Sequence, residues 1–213
     1  MFGLPRTVDP ELRVLVGRGA ADDVSPLADG RGQAEVEKDG RLLPGLRESM
    51  PANVVVVPGD ILKTDLRAIA AEAGVAALRL AGNIPYSISS PLLFRVLDER
   101  GLVSDAVFLM QKEVAERVTA GPGTKSYSPL GILLRNEFEA GIAFPVAPGS
   151  FSPPPKVRSA LLALRRRAAP LHPGAADPPF RAFLREAFAE RRKMLRKTLA
   201  RRSGPAAVEA ACA

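Results

Sequence analysis

Through most of the chain, short apolar runs alternate with stretches in which apolar residues recur at helical spacing. The runs predict buried strands at residues 14–16, 34–37, 53–57, 77–80 and 106–110. Spacings of three and four residues predict helices at residues 42–50, 62–73, 91–100 and 112–119. Continuous apolar strands separated by helices are typical of a parallel sheet that is covered on both faces. We therefore expect an α/β domain.

The pattern changes in the last third of the chain. Residues 137–144 and 159–164 predict two more strands with no helix between them, which favours an antiparallel edge of the sheet. A proline-rich stretch from 165 to 179 is typical of a linker. Beyond it, apolar residues at helical spacing predict an amphipathic helix or two. We divide the chain into an α/β domain, residues 1–167, and a small basic helical lobe, residues 168–213.

Charge is concentrated in that lobe. The 213-residue chain has a net charge of +7, from 30 basic and 23 acidic residues. Residues 181–202 contain nine of the basic residues and two of the acidic ones, so this segment alone accounts for the excess. A local field of one sign indicates a polyanionic partner, nucleic acid first and an anionic membrane second. A solvated helix face is the simpler alternative.

Several classes of protein are excluded by composition. A single cysteine, Cys212, and a single histidine, His172, exclude a disulfide framework and a Cys/His zinc cluster. His172 lies in the proline-rich stretch, a poor position for a catalytic base. No apolar run approaches the roughly 20 residues that span a bilayer, and the N-terminus lacks the apolar core of a signal peptide. We expect a cytoplasmic, metal-free monomer.

Candidate ligand-binding residues follow four of the predicted strands. They are Gly17, Glu37, Asp60 and Asn83, and in an open parallel sheet they would share the edge where ligands bind. A carboxylate about 20 residues after a glycine turn can accept both ribose hydroxyls, and a later one can accept an adenine amine. The set favours an adenosine-containing cofactor. Taken singly, Gly17 fits a plain turn, Glu37 a surface charge and Asp60 a helix N-cap.

The tetrapeptide Asn83-Ile84-Pro85-Tyr86 is the most specific signal. An adenine amine is a poor nucleophile because its lone pair is delocalised into the ring. The amide oxygen of Asn83 and a nearby backbone carbonyl could accept its protons and free that lone pair for attack on a methyl group. Pro85 stiffens the turn, and Tyr86 offers a ring on which an unstacked base can lie. A capped turn with Tyr86 in the core is the structural alternative.

With these residues, the sequence resembles the ribosomal RNA adenine dimethyltransferases of the KsgA type. Asn83–Tyr86 is similar to the family's N-[IL]-P-Y signature, and residues 151–159 are similar to its F-x-P-x-P-K-V-x-S loop. Residues 110–117, 127–130 and 188–195 also resemble family segments. The first-strand motif departs from the family pattern, because Val16-Gly17-Arg18-Gly19 lacks the usual acidic residue and last glycine.

The resemblance implies a Rossmann-like class I S-adenosylmethionine-dependent methyltransferase sheet with a small helical C-terminal domain. The implied reaction transfers methyl groups to the 6-amino groups of two adjacent adenosines in a small-subunit rRNA hairpin. Gly17, Glu37, Asp60 and Asn83 would bind the cofactor, and Asn83, Pro85, Tyr86 and Phe151 would act on the target base. The residues expected to bind RNA phosphates are Arg191, Arg192, Lys193, Arg196 and Lys197. The expected partner is small-subunit rRNA in the immature small ribosomal subunit.

Two other functions stay open. One is a catalytically weak or inactive RNA-binding factor that assists small-subunit assembly with the same fold. The other is an adenine methyltransferase of large-subunit rRNA. A DNA adenine methyltransferase fits less well, because its usual signature is [DNS]-P-P-Y.

Overall fold

The computed structural model describes residues 33–51, 54–175, 177–189, 199–200 and 204–212, and the backbone path of residues 14–18. Its strands are β1 (Val14–Arg18), β2 (Gln33–Glu37), β3 (Val54–Pro58), β4 (Leu78–Asn83), β5 (Val103–Gln111), β6 (Phe138–Val146) and β7 (Ser159–Arg166). Its helices are α1 (Leu43–Ser49), α2 (Leu66–Glu72), α3 (Ser89–Asp98), α4 (Lys112–Thr119), α5 (Pro129–Glu137), α6 (Pro178–Ala187) and α7 (Pro205–Cys212). Single turns of 3-10 helix occur at Tyr86–Ile88 and Pro148–Ser150.

All seven strands form one sheet in the order β3-β2-β1-β4-β5-β7-β6. β2 pairs with β3 in parallel, β4 pairs with β5 in parallel, and β7 runs antiparallel to both β5 and β6. The predicted α/β fold is confirmed, and so is the antiparallel edge. Strand order that reverses near the middle of a sheet places a ligand crevice at the carboxyl ends of the central strands.

The direction of β1 differs from the prediction. This strand is antiparallel to both of its neighbours, β2 and β4, so the sheet is not parallel throughout its first five strands. A short apolar run such as Val14-Leu15-Val16 satisfies the core equally well in either direction. Its pattern therefore predicts a buried strand but not which way that strand runs.

The hydrophobic core is built where helices cover the central strands. α3 contributes Leu92, Leu93, Val96 and Leu97, each with at most 1% of its surface exposed. They join strand residues such as Leu80 and Phe108 in one cluster that continues into α5. Because α3 follows directly from the turn after Asn83, this packing fixes the carboxyl end of β4.

The sequence did not predict helix α5. Ser128 caps it, since its Oγ accepts the Gly131 N–H at 3.2 Å, and Pro129 occupies the first helical turn. Ser128 Oγ also donates to the Arg117 carbonyl at 3.0 Å, so α5 begins against the last turn of α4. A Cβ at Gly131 would lie 2.3 Å from that same carbonyl. Only glycine allows this approach of the two helices.

Asn136 holds the start of the proline-rich stretch against the domain. Its amide Nδ2 donates to the His172 carbonyl at 3.2 Å, and its Oδ1 accepts the His172 N–H at 2.8 Å. Farther on, Leu184 of α6 reaches the core cluster. The predicted boundary between residues 167 and 168 stays a prediction. In the described part of the chain, no helix has the length and apolarity needed to cross a membrane.

Candidate active site

The register of the central strands brings Glu37 and Asn83 to one edge. Val14 lies opposite Val36 on one side and opposite Gly82 on the other. Glu37 and Asn83 are the next residues of β2 and β4, which run in the same direction. With strands about 4.8 Å apart, their backbones are separated by about 10 Å across β1. Asp60 follows β3, the other neighbour of β2, so three of the four predicted strand ends share this edge.

Gly17 does not join them, and its predicted place at this edge is wrong. It lies opposite Arg79, near the start of β4, because β1 runs antiparallel to its neighbours. From Val14 to Gly17 the strand extends about 10 Å away from the edge. Of β1, it is therefore the amino end that lies between Glu37 and Asn83.

Glu37 is a buried carboxylate with one unengaged oxygen. Only 2% of the residue is exposed. Its Oε1 accepts the backbone N–H of Asp39 at 2.6 Å, while its Oε2 is buried without a hydrogen-bond partner among the described residues. A buried polar atom without a partner is costly, which marks Oε2 as an acceptor for a group that the protein itself does not supply. Burial rules out the surface-charge alternative.

Asp60 organises the turn that follows β3. Its Oδ1 accepts the Leu62 N–H at 3.0 Å, and Lys38 Nζ lies 3.0 Å from its Oδ2. These two groups, the Leu62 amide first and then the Lys38 ammonium, lower the pKa of Asp60 below its usual value of 3.8. Asp60 does not cap α2, since Asp65 does so by accepting the N–H groups of Arg67 and Ala68. Asp60 instead holds its own carboxylate at the edge, ionised and partly exposed.

Arg95 is a structural residue of the site that sequence analysis missed. From α3, its guanidinium donates to the carbonyl oxygens of Leu62 and Thr64. It thereby ties the Asp60 turn to the helix that follows Asn83. Nothing in the sequence signals this, because an arginine in the last turn of an amphipathic helix is ordinary.

The tetrapeptide Asn83–Tyr86 forms the turn between β4 and α3. Ile84 is buried, and its N–H donates to the Leu109 carbonyl of β5 at 2.8 Å. The Tyr86 hydroxyl forms a 2.9 Å hydrogen bond with Ser159 Oγ at the start of β7. Within the described residues, the Asn83 side-chain amide has no hydrogen-bond partner. The turn is thus anchored on both sides while its amide stays available to a ligand.

Phe151 lies in the loop between β6 and β7, which returns to the same edge. Ser159, the first residue of β7, pairs with Gln111 at the carboxyl end of β5 and with Val146 at the end of β6. Phe151 is half-buried, and its N–H donates to the Pro148 carbonyl at 3.1 Å. The fold therefore brings Asn83, Pro85, Tyr86 and the loop of Phe151 to one edge, as predicted.

Comparison with known proteins identifies the family. The family model "Ribosomal RNA adenine dimethylase" matches residues 28–213. The chain belongs to this family. It is 38% identical over 208 residues to ribosomal RNA small subunit methyltransferase A of Geobacter sulfurreducens, covering 91% of this chain and 75% of that protein. It is 39% identical over 205 residues to the methyltransferase of the same name from Pseudomonas fluorescens, covering 95% of this chain and 75% of that protein.

Solved structures give the same result for the fold. A dimethyladenosine transferase from Plasmodium falciparum superposes with a TM-score of 0.64 at 28% identity, over 80% of this chain; the chain spans 60% of that protein. The 23S rRNA methyltransferase ErmE superposes with a TM-score of 0.66 at 30% identity, over 84% of this chain and 70% of that one. The predicted family, its methyltransferase fold and its activity as an rRNA adenine methyltransferase are confirmed.

Membership in a methyltransferase family implies the use of S-adenosylmethionine, and the described residues fit half of that molecule. The unengaged Oε2 of Glu37 fits a ribose hydroxyl, and the exposed part of Asp60 fits an adenine amine. Gly17, at the other edge, does not fit the methionine half. Within the described residues, no cluster of three or more His, Cys, Asp or Glu side chains could hold a metal ion.

The predicted RNA-binding residues Arg191, Arg192, Lys193, Arg196 and Lys197 lie outside the described residues. The helix that precedes them, α6, is amphipathic as predicted and packs on α5 through its apolar face. Their attachment to the edge of Asn83 stays a prediction.

Proposed function

We propose that this protein transfers methyl groups from S-adenosylmethionine to the 6-amino groups of two adjacent adenosines in a small-subunit rRNA hairpin. It would act as a cytoplasmic monomer on the immature small ribosomal subunit. Support for the small subunit comes from the relatives named small subunit methyltransferase A, which are 38–39% identical over most of the chain. Support for chemistry at adenine comes from the family and from the Asn83–Tyr86 turn.

The cofactor would be held first through its adenosine half. Glu37 would accept a ribose hydroxyl at Oε2 while the Asp39 N–H keeps its Oε1 in place. Asp60, kept ionised by Leu62 and Lys38, would accept a proton of the adenine amine. When bound, S-adenosylmethionine supplies an electrophilic methyl group on a sulfonium centre.

Asn83 would position the target amine. Its amide oxygen would accept one amine proton, and a backbone carbonyl of the same turn would accept the other. Drawing both protons out of the ring plane takes the nitrogen towards tetrahedral geometry, which releases its lone pair for in-line attack. The contribution is one of orientation and electrostatics, of the kind that rigid sites provide without reorganisation.

The target adenine must leave its stack before it can reach Asn83, and two aromatic residues would hold it there. Tyr86 is fixed by its hydrogen bond to Ser159, and Pro85 limits the backbone of the turn. Phe151 would cover the other face of the base from the β6–β7 loop. A base held between aromatic rings recovers part of the stacking energy lost on unstacking.

RNA would be attracted by the basic segment of the C-terminal lobe. Phosphate contacts by Arg191, Arg192 and Lys193 would position the hairpin without reading its sequence, and their contribution should fall steeply with salt. Charge reversal at these three residues should weaken RNA binding and flatten its salt dependence. An unchanged salt slope would mean that RNA binds elsewhere.

The observation that carries the proposal is the shared edge, where the buried, unengaged Glu37 oxygen and the Asn83 amide lie two strands apart. Calorimetric titration of S-adenosylmethionine into the purified protein tests it. Saturable binding with one site per chain is expected. Failure of a folded protein to bind would instead favour the RNA-binding assembly factor, to which the position of Gly17 points.

Large-subunit rRNA is the second candidate substrate, and the superposition with the 23S rRNA methyltransferase favours it. The two substrates are separated by presenting isolated small-subunit and large-subunit rRNA to the enzyme with labelled cofactor. We expect label in small-subunit rRNA only.

A further inference from the structure

A cavity of about 580 Å³ lies between α4, the segment before α5, and α6. Its lining combines two aromatic side chains, Tyr127 and Phe188, with three basic ones, Arg117, Lys125 and Arg185, and one carboxylate, Glu113. Its volume is within the range of small-ligand sites. We call it the aromatic–basic cavity. The mechanism proposed above uses none of these side chains.

The aromatic wall of this cavity is fixed in place. The rings of Tyr127 and Phe188 contact each other with centroids 5.7 Å apart and planes tilted by 54°. The Arg135 guanidinium lies 5.9 Å from the centroid of the Tyr127 ring. Tyr127 and Phe188 are only half-buried and border the cavity, so a flat aromatic group placed there could stack on the wall without rearrangement.

The charge of the lining selects an anion. Arg117 is paired with Glu113 one helical turn away, which leaves Lys125 and Arg185 as the excess. Arg185 is exposed on α6 and forms no ion pair with any residue in the described part of the chain. A ligand that offers a flat ring to the wall and a negative charge to these two side chains has the chemistry of a nucleotide.

The cavity is also connected to the edge of Asn83. Glu113 borders a second, smaller cavity of about 280 Å³, which is lined by Gln111 and Lys112 at the end of β5 and by Arg158 of the β6–β7 loop. Lys112 N–H donates to the Arg158 carbonyl at 2.9 Å, so this smaller cavity lies at the edge itself. From Gln111 to Arg117 the chain advances by about 9 Å along α4.

We propose that the aromatic–basic cavity binds one nucleotide of the RNA strand that flanks the target adenosine. Its base stacks on Tyr127 and Phe188, and its phosphate lies by Arg185 and Lys125. This inference rests on the proposed function, since it takes the strand whose adenosine is methylated. It adds an RNA subsite between the catalytic edge and the basic C-terminal lobe.

Two variants separate the charge from the stacking. Arg185→Glu removes the phosphate partner, and Tyr127→Ala removes part of the wall. Arg47→Glu is the matched control, because it makes the same charge change at an exposed position of α1, which packs beside β3 at the far end of the sheet. The probe is a small-subunit rRNA hairpin with its two adjacent adenosines, and its affinity is measured from 50 to 200 mM salt.

We expect Arg185→Glu to weaken hairpin binding about 10-fold at the low salt and to reduce the salt slope by about 0.7 to 1, the contribution of one phosphate. Tyr127→Ala should weaken binding by about 5-fold or more with an unchanged slope, since stacking carries no charge. Tyr127→Phe should bind as the wild type does. Calorimetry should show the same affinity for S-adenosylmethionine in all variants, which reports that the edge is intact.

Hairpin affinities of Arg185→Glu and Tyr127→Ala equal to that of Arg47→Glu would overturn the inference. A wild-type protein that binds the hairpin but transfers no methyl group would instead overturn the proposed function. The binding data on the cavity variants would still decide whether RNA occupies the cavity.

Discussion

Replacement of Glu37 by glutamine should stabilise the ligand-free protein and weaken its binding of S-adenosylmethionine. Glu37 is 2% exposed, and one of its carboxylate oxygens is buried without a partner among the described residues. Leaving a buried acceptor unsatisfied costs about 1–3 kcal/mol, and a neutral amide costs less to bury than a carboxylate. In Glu37→Gln, the amide oxygen can still accept the Asp39 N–H, which now lies 2.6 Å from Oε1. We expect a free energy of unfolding that is unchanged or higher by up to about 1 kcal/mol.

The effect on the cofactor has the opposite sign. A hydrogen bond from a ribose hydroxyl to a carboxylate contributes about 1.5–3 kcal/mol, and the glutamine places an amide donor where that acceptor was. Affinity should therefore fall about 10- to 100-fold. At a cofactor concentration of 100 times the wild-type Kd, binding adds about 2.7 kcal/mol to wild-type stability and about 0.4–1.4 kcal/mol to that of the variant.

Thermal unfolding with and without cofactor measures both effects in one experiment, and calorimetry gives the affinity directly. For a chain of this size, each kcal/mol shifts Tm by about 2–4 °C. The control is Glu48→Gln, an exposed position of α1 that should change neither quantity. The reasoning is refuted if Glu37→Gln binds the cofactor as tightly as the wild type, or if the ligand-free variant is clearly less stable.

Three further predictions follow from the same structure. Asn83→Ala should abolish methyl transfer and leave RNA affinity within about twofold of wild type; equal loss of both activities would contradict its role at the target amine. Gly131→Ala should lower the free energy of unfolding by about 1–3 kcal/mol in urea, because its Cβ would lie 2.3 Å from a backbone carbonyl of α4, whereas Gly45→Ala in open space in α1 should raise it by about 0.5–1 kcal/mol. Equal effects would refute the packing argument. Since the pKa of Asp60 is lowered in the folded protein, its carboxylate should add stability above its usual pKa of 3.8 and lose that contribution as the pH falls through the lowered value. Lys38→Met should move this acid-induced loss towards higher pH in urea unfolding between pH 2 and 6, and superimposable pH profiles would exclude the Lys38 contribution.

Much of the site could be predicted because its residues lie where strands end. Apolar runs fix the approximate ends of β2, β3 and β4, and parallel strands bring their carboxyl ends together. Glu37, Asp60 and Asn83 therefore came out on one edge. The two antiparallel strands at the far side of the sheet, β6 and β7, were also predicted, because no helical segment lies between their apolar runs.

The remainder depends on contacts that leave no local pattern in the sequence. The direction of β1 is one example, because an apolar run reads the same both ways, and this is why Gly17 was placed at the wrong edge. Helix α5 has a capping serine and a first-turn proline, which could have indicated it, but its close contact with α4 through Gly131 is visible only in three dimensions. The link from Arg95 to the Asp60 turn spans more than 30 residues and has no sequence signature.

Methyl transfer to small-subunit rRNA tests the central claim most directly. Immature small subunits that lack the modification are incubated with the purified protein and labelled S-adenosylmethionine, and the modified positions are mapped. The account predicts label in two adjacent adenosines, both dimethylated on the 6-amino group, and none in large-subunit rRNA. Label in large-subunit rRNA alone would contradict the substrate, and a folded protein that binds the particle without any transfer would contradict the enzyme.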